Sequence, residues 1–114
     1  MIFIKNSYLL PFLTYNPTEN SMKVLNKIIN KISVPKSFIN NYIKNSISFY
    51  TKEPNLNEKI KRAKFIACFI NKLIENNILS KNDDIPNEIN CLFENDNEEI
   101  NNLKKKVIEF KNFH

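Results

Sequence analysis

The sequence of 114 residues contains no glycine, and this absence restricts the possible folds more than any other feature. Loops that cradle phosphate groups and dinucleotide-binding turns need glycine because their backbone approaches the ligand closely. Two-residue β-hairpins also depend on glycine for positive φ angles. Helices can end on asparagine instead, since asparagine is the next best residue in the left-handed conformation. The sequence therefore favours helices over nucleotide-binding loops and tight hairpins.

Apolar residues recur at three- and four-residue steps along almost the whole chain, which is the spacing of amphipathic α-helices. No alternating pattern typical of strands competes with it. The periodic segments are separated by Pro17, Pro35 and Pro54. Proline is tolerated between helices or in their first turn, so these positions indicate helix boundaries. The spacing predicts six helices, at about residues 8–14, 18–32, 35–50, 57–76, 85–93 and 95–110.

The length suits a single domain over residues 1–114, and short connections favour antiparallel packing of successive helices. We therefore predict an all-α fold, a compact bundle of about six helices packed as antiparallel hairpins, with a short solenoid-like stack as the alternative. The fourth predicted helix is apolar over so broad an arc that it should pack on both sides, so we place it at the centre. Its main apolar stripe contains Ile60, Ala63, Ala67, Ile70 and Ile74.

Two asparagines coincide with the apolar faces of the third and fourth predicted helices. Asn45 follows Phe38 by seven residues, and Asn76 follows a phenylalanine at the same spacing. A seven-residue step returns a helix to nearly the same face, so both amides should lie on the apolar side. A buried amide without a hydrogen-bond partner costs about 1–3 kcal/mol. We therefore predict that Asn45 and Asn76 are structural clasps, bonded to backbone or to a neighbouring helix, with contact to a partner as the alternative.

Few side chains in the sequence suit catalysis or metal binding. The only histidine is His114, the last residue, and a terminal residue is a poor general base. Cys68 and Cys91 are the only cysteines, and two thiols with one imidazole fall short of the four ligands of a zinc site. No apolar segment reaches the roughly 18 residues that cross a bilayer. We predict no enzymatic activity, cofactor, metal, small-molecule ligand or membrane partner.

The net charge is +5 and is distributed unevenly. Residues 1–80 contain 12 basic and 4 acidic side chains, whereas residues 81–114 contain 5 and 8. A basic cluster near the start of the fourth predicted helix consists of Lys59, Lys61, Arg62 and Lys64. One interpretation is a solvated face around a buried stripe. The alternative is RNA binding, in which the cations contact phosphates and Tyr50 or Phe49 stacks on a base.

Two segments of the sequence resemble a known family. They are VPKSFINNYIKNSIS, residues 34–48, and FINKLIENNI, residues 69–78. Both are similar to the C-terminal domain of subunit eleven of the Ccr–Not deadenylase complex. The upstream SMKVLNKI, residues 21–28, resembles the helix that precedes the motif in that family. The residues that match the family pattern are Pro35, Phe38, Ile39, Tyr42, Ile43, Asn45, Ile47 and Ser48, followed by Lys61, Lys64, Phe69, Leu73, Ile74, Asn76 and Ile78.

The resemblance covers residues 8–79 and continues more weakly to the end of the chain. It implies a non-catalytic adaptor that recruits proteins and acts in mRNA deadenylation, mRNA decay and translational repression, in the cytoplasm and the nucleus. In the family a separate N-terminal region docks onto the scaffold of the complex, and this chain shows no counterpart of that region. We therefore expect either one domain of a longer protein or a divergent version of the subunit.

The resemblance also implies the kind of partner. We expect other subunits of the deadenylase complex, or regulators that the complex recruits. Aromatic anchors and lysines where the third and fourth predicted helices meet would contact them, and we predict Tyr50, Lys61 and Lys64 as contact residues. The alternative function is a small basic RNA-binding helical module, in which direct RNA contact replaces protein recruitment.

Overall fold

The computed structural model describes residues 11–12, 16–80, 83 and 85–112. No strand occurs in these ranges, so the predicted all-α class is confirmed. The helices described are α1 (Glu19–Lys31), α2 (Lys36–Thr51), α3 (Leu56–Glu75), a 3-10 helix (Asn87–Glu94) and α4 (Glu98–Asn112).

Five of the six predicted helices have a counterpart, so a bundle of six is not confirmed. The first, at residues 8–14, lies outside the described residues except for Pro11 and Phe12, which are helical. The fifth is a 3-10 helix of eight residues that follows Pro86. Runs of 3-10 helix longer than three or four residues are uncommon, so this one is long for its type.

Polar side chains close the starts of α1 and α3. Ser21 N donates to Thr18 Oγ1 at 3.1 Å, and Thr18 N donates to Ser21 Oγ at 2.9 Å, which is a reciprocal capping box. At the start of α3, Glu58 N donates to Asn55 Oδ1 at 3.0 Å. Each bond satisfies a backbone N–H that has no partner within the helix. The helix starts are therefore set by residues next to them in sequence.

Asparagine replaces the missing glycine at the end of α3. Asn77 has a φ of 60°, the left-handed conformation that glycine usually supplies. Ile78 N donates to Leu73 O at 2.8 Å, and Asn77 N donates to Ile74 O at 3.1 Å. This pair of bonds is a Schellman motif, and it satisfies two carbonyls that the helix leaves open. The predicted use of asparagine at helix ends is thus confirmed at this position.

Helix α3 lies at the centre of the bundle, as predicted, because it packs against α1, α2 and α4. The 3-10 helix packs against α2 and α4. Helix α1 packs more closely against α3 than against its sequence neighbour α2, so the arrangement is not a run of successive hairpins throughout. In a solenoid each unit contacts only its neighbours, and the packing of α1 and α4 on one shared helix differs from that. The solenoid-like stack is therefore not confirmed.

Helices α2 and α3 form an antiparallel hairpin. The ring of Tyr42 lies 5.3 Å from that of Phe69, whereas Lys59 Nζ lies 5.1 Å from the centroid of Tyr50. Residues later in α2 thus meet residues earlier in α3. Buried side chains of both helices form one core.

None of the helices in the described ranges is long and apolar enough to cross a membrane.

Three residues expected on apolar faces are exposed. Ile60 is 42% exposed, although we placed it in the buried stripe of α3. Asn45 is exposed because the buried row of α2 advances by four-residue steps to Ser46, about 100° around the helix axis from it. Asn76 is exposed because it is the C-cap of α3 and no longer follows the periodicity of the helix. The burial inferred for the two amides was wrong, and their role as clasps stays a prediction.

Candidate functional site

Tyr50, one of the predicted partner contacts, is buried and forms hydrogen bonds within the protein. It is 1% exposed, and its hydroxyl donates to Glu94 Oε1 at 2.5 Å and accepts from Asn95 Nδ2 at 2.9 Å. Burial, followed by the effect of the Glu94 carboxylate, raises the pKa of Tyr50 to about 12. Tyr50 therefore joins α2 to the end of the 3-10 helix, and we correct its predicted role from partner contact to internal packing.

The single arginine fixes the turn between α2 and α3. The Arg62 guanidinium stacks on Phe49, with Cζ 3.6 Å from the ring centroid, and donates to Phe49 O at 2.9 Å. It also pairs with Glu53 at 2.5 Å, and both side chains are largely buried. The planar guanidinium suits this combination of stacking and hydrogen bonding better than an ammonium group would. Arg62 therefore has a structural role in the hairpin.

Because of these contacts, only some of the four cations in the basic cluster at the start of α3 are exposed. Arg62 and Lys59 are engaged internally, since Lys59 lies over the ring of Tyr50 and 3.9 Å from Glu94. Lys61 and Lys64 are exposed, and Lys61 pairs with its neighbour Glu58 at 3.6 Å. The alternative of RNA binding is not supported by this arrangement, because two of its four cations and both of its proposed stacking rings are already used.

A buried amide that the sequence analysis did not single out connects α3 to α4. Asn71 is 3% exposed, and its Nδ2 donates to Glu99 O at 2.9 Å. Lys106 Nζ donates to Asn71 Oδ1 at 3.3 Å and also pairs with Glu75 at 3.3 Å. The sequence feature that could have identified Asn71 is its position directly after Ile70, within the apolar segment of this helix. Asn71 is therefore a buried amide that joins two helices, while the clasp roles of Asn45 and Asn76 stay predictions.

A cleft of about 120 Å³ lies between α1 and α3, and we call it the α1–α3 cleft. Its apolar lining consists of Met22 from α1 and Phe65, Cys68 and Phe69 from α3. Met22 and Phe69 are buried, whereas Phe65 and Cys68 are partly exposed. An apolar depression that includes a partly exposed aromatic ring is typical of surfaces that receive a side chain from a partner.

Charged side chains surround this apolar lining, and cations predominate. Lys23, Lys64 and Lys72 line the cleft together with Glu19 and Glu99. Glu19 pairs with Lys23 at 3.7 Å, and Glu99 is the carboxylate engaged by the buried amide of α3. Within the part of the chain that the structure describes, Lys64 and Lys72 have no ion-pair partner. Two lysines of α3 are therefore left to attract an acidic group.

The two predicted contact lysines lie on the same side of α3. Lys64 lines the cleft, and Lys61 lies one turn before Phe65 at an i,i+4 spacing, which places it on the adjoining surface. Their role in partner binding stays a prediction. Phe65 and Lys72 were missed as candidates because sequence periodicity places them near the edge of the apolar arc but does not reveal which helix borders that edge.

A second groove, between α2 and the start of the 3-10 helix, is more polar. Asn40, Lys44 and Glu88 line it, together with Pro86. Asn40 Oδ1 is buried, and no residue that the structure describes is its hydrogen-bond partner. Because the groove offers little apolar surface for an anchor, the α1–α3 cleft is the better candidate for a protein contact.

The described side chains include no arrangement typical of a catalytic or metal centre. No three His, Cys, Asp or Glu side chains converge within those residues, and His114 lies outside them. Burial, and then the charge of Glu94, raise the pKa of the Cys91 thiol. A raised pKa lowers the thiolate fraction, which is the reactive form.

Comparison with known proteins identifies a family to which the sequence is similar. The family model of CCR4-NOT transcription complex subunit 11 matches residues 2–108. The chain belongs to this family. No curated protein and no solved structure matches it.

The CCR4-NOT transcription complex subunit 11 match extends beyond the segment on which the resemblance rested. It includes the 3-10 helix and most of α4, so the match covers most of the acidic end as well as the basic body. Most motif residues of α2 are buried, including Phe38, Ile39, Tyr42 and Ile43. The motif that identifies the CCR4-NOT family in this chain is therefore mainly a core pattern, and the α1–α3 cleft lies beside it.

Proposed function

We propose that this chain is a non-catalytic, protein-binding adaptor of the CCR4-NOT complex that acts in mRNA deadenylation, mRNA decay and translational repression. Its partners are other subunits of the complex or regulators recruited to it. We place its action in the cytoplasm and the nucleus. Family membership supports the assignment to the complex.

The observation that carries the adaptor role is the α1–α3 cleft. It combines an apolar lining with lysines that have no ion-pair partner among the described residues. Such a surface can bind a partner protein through complementary shape and charge, and this requires no catalytic group. The polar networks around Tyr50 and Asn71 are instead engaged in holding helices together. This contrast supports the α1–α3 cleft as the surface on which we base the adaptor role.

Co-purification tests this proposal. The full chain, tagged and expressed in cells of its own source, should recover deadenylase and scaffold subunits of the complex, identified by mass spectrometry after nuclease treatment. A tag-only sample provides the control. Recovery of none of these subunits from extracts that contain an intact complex would refute membership.

A second assay tests the non-catalytic assignment. The purified chain, incubated with an RNA that carries a 3′ run of adenosines and with Mg²⁺, should leave the length of that run unchanged. A shortened run would contradict an adaptor role, provided that the activity follows the chain through a further purification step.

A further inference from the structure

We infer that the α1–α3 cleft binds a segment of a partner protein in which one large apolar side chain is flanked by aspartate or glutamate residues. This inference rests on the proposed function and specifies the chemistry of the partner. It is built on the lining of the cleft, on its charged rim and on the internal ion pairs that hold Lys59 and Arg62.

The size and lining of the cleft determine what kind of anchor fits. A dry cavity of about 150 Å³ holds a benzene ring. A cleft of about 120 Å³ is therefore suited to a single side chain of the size of leucine or phenylalanine. Its floor is formed by Met22 and Phe69, and Phe65 and Cys68 are partly exposed beside them. Burying the anchor would remove these apolar groups from water, which is the main favourable term in such contacts.

The rim determines what should flank the anchor. Lys64 and Lys72 belong to α3 and are two turns apart, with Cys68 midway between them. Lys23 faces them from α1, and Lys27 follows it on the same side of that helix at an i,i+4 spacing. Carboxylates on either side of the anchor would meet these ammonium groups. Charge complementarity of this kind raises association rates and excludes basic partners.

A protein segment fits this surface better than a nucleic acid. Nucleic-acid binding depends on many phosphate contacts, and Lys59 and Arg62 on the same helix are held by internal ion pairs. The apolar floor also offers a pocket for one side chain rather than a row of stacking rings. RNA is therefore the competing occupant that the experiment has to exclude.

Selection from a random library identifies the preferred segment without assuming its sequence. Phage-displayed peptides of 12 random residues are selected on the full chain and depleted on the double variant Lys64→Glu/Lys72→Glu. We expect the enriched peptides to contain one aromatic or branched apolar residue with Asp or Glu on both sides. A library that yields no such peptide overturns the inference.

Affinity measurements on an enriched peptide test the charges. A single exposed ion pair changes affinity by a few-fold, and reversal replaces attraction by repulsion. The double variant Lys64→Glu/Lys72→Glu should therefore bind at least about tenfold more weakly by fluorescence anisotropy. The matched control is Lys104→Glu/Lys105→Glu, which makes the same charge change at exposed positions of α4 and should alter affinity less than threefold. Equal losses in both variants would show a general charge effect and overturn the inference.

The two cysteines report where the peptide binds. Bound peptide should slow maleimide labelling of Cys68, which lines the cleft, and leave labelling of Cys91 on the 3-10 helix unchanged. Unprotected Cys68 overturns the assignment to this cleft. Tighter binding of a 12-residue adenosine oligonucleotide that protects Cys68 would show an RNA site instead. A dimer in light scattering that Lys64→Glu/Lys72→Glu dissociates would show that a second copy occupies the cleft.

The outcome is separable from that of the proposed function. If the double variant still recovers CCR4-NOT subunits and the library yields no acidic binder, the inference fails and the adaptor function stands. If the unaltered chain recovers no subunit of the complex, the proposed function fails whatever the peptides show.

Discussion

Replacing the buried amide of Asn71 with alanine should loosen the contact between α3 and α4. Asn71 Nδ2 donates to Glu99 O at 2.9 Å, and its Oδ1 accepts from Lys106 Nζ at 3.3 Å. Alanine removes both hydrogen bonds. Lys106 keeps its ion pair with Glu75 at 3.3 Å, so no unpaired charge is left behind.

The expected change in the free energy of unfolding combines two opposing effects. Each lost hydrogen bond costs about 1 kcal/mol, so the pair costs about 2 kcal/mol. Alanine has a higher helix propensity than asparagine and returns about 0.6 kcal/mol. The variant Asn71→Ala should therefore be about 1.5 kcal/mol less stable than the unaltered chain.

The matched control is Asn41→Ala, at an exposed position of α2. It makes the same substitution in a helix without removing a buried amide, so it should be about 0.6 kcal/mol more stable than the unaltered chain. The two variants should differ by about 2 kcal/mol. Comparing them separates the hydrogen bonds of Asn71 from the change in helix propensity.

Urea unfolding followed by circular dichroism at 222 nm measures both free energies. The slope with urea should be similar in the three proteins, because the surface exposed on unfolding hardly changes. The reasoning is refuted if Asn71→Ala is as stable as Asn41→Ala. In that case the hydrogen bonds of Asn71 would be fully replaced by water.

Three further predictions concern the end of α3, the core tyrosine and the α2–α3 turn. Asn77→Ala should cost about 1 kcal/mol, because alanine tolerates the left-handed conformation less well, and Asn77→Gly should be neutral or stabilising; equal urea midpoints for the two would contradict this. Since the folded-state pKa of Tyr50 is raised from 10 to about 12, its contribution to stability should be complete below pH 10 and lost between pH 10 and 12. Tyr50→Phe should lack that part of the alkaline decline in melting temperature, and an unchanged decline would argue against it. Arg62→Lys should cost about 1–2 kcal/mol through lost stacking and hydrogen bonding, whereas the exposed Lys61→Ala should change stability by less than about 0.5 kcal/mol.

Local features of this protein could be predicted from sequence because the groups involved are neighbours in the chain. Thr18 and Ser21 cap α1 across three residues, and Asn77 takes the left-handed position within the last turn of α3. The broad apolar arc of α3 also predicted its central place, since each side of such a helix needs a neighbour. The residues that match the CCR4-NOT subunit 11 pattern belong mostly to this same core periodicity.

Other features depend on contacts between residues far apart in sequence. Whether Tyr50 is available to a partner depends on Glu94 and Asn95, more than 40 positions later. Periodicity alone does not reveal that Asn45 is exposed and Asn71 is buried. Burial at the edge of an apolar face depends on which neighbouring helix covers that edge, and a rotation of a few tens of degrees about the helix axis changes it.

The sequence by itself determined the helical class and the capped ends of α1 and α3, because these follow from hydrogen bonds and apolar spacing within a few turns of one helix. The family was recognised from the match of particular motifs and not from this spacing. Only the tertiary structure decided which lysines remain unpaired and that α1 lies against α3 to form the α1–α3 cleft. The physical reason is that a cleft belongs to two helices at once. Its shape depends on how their side chains interlock across the space between them.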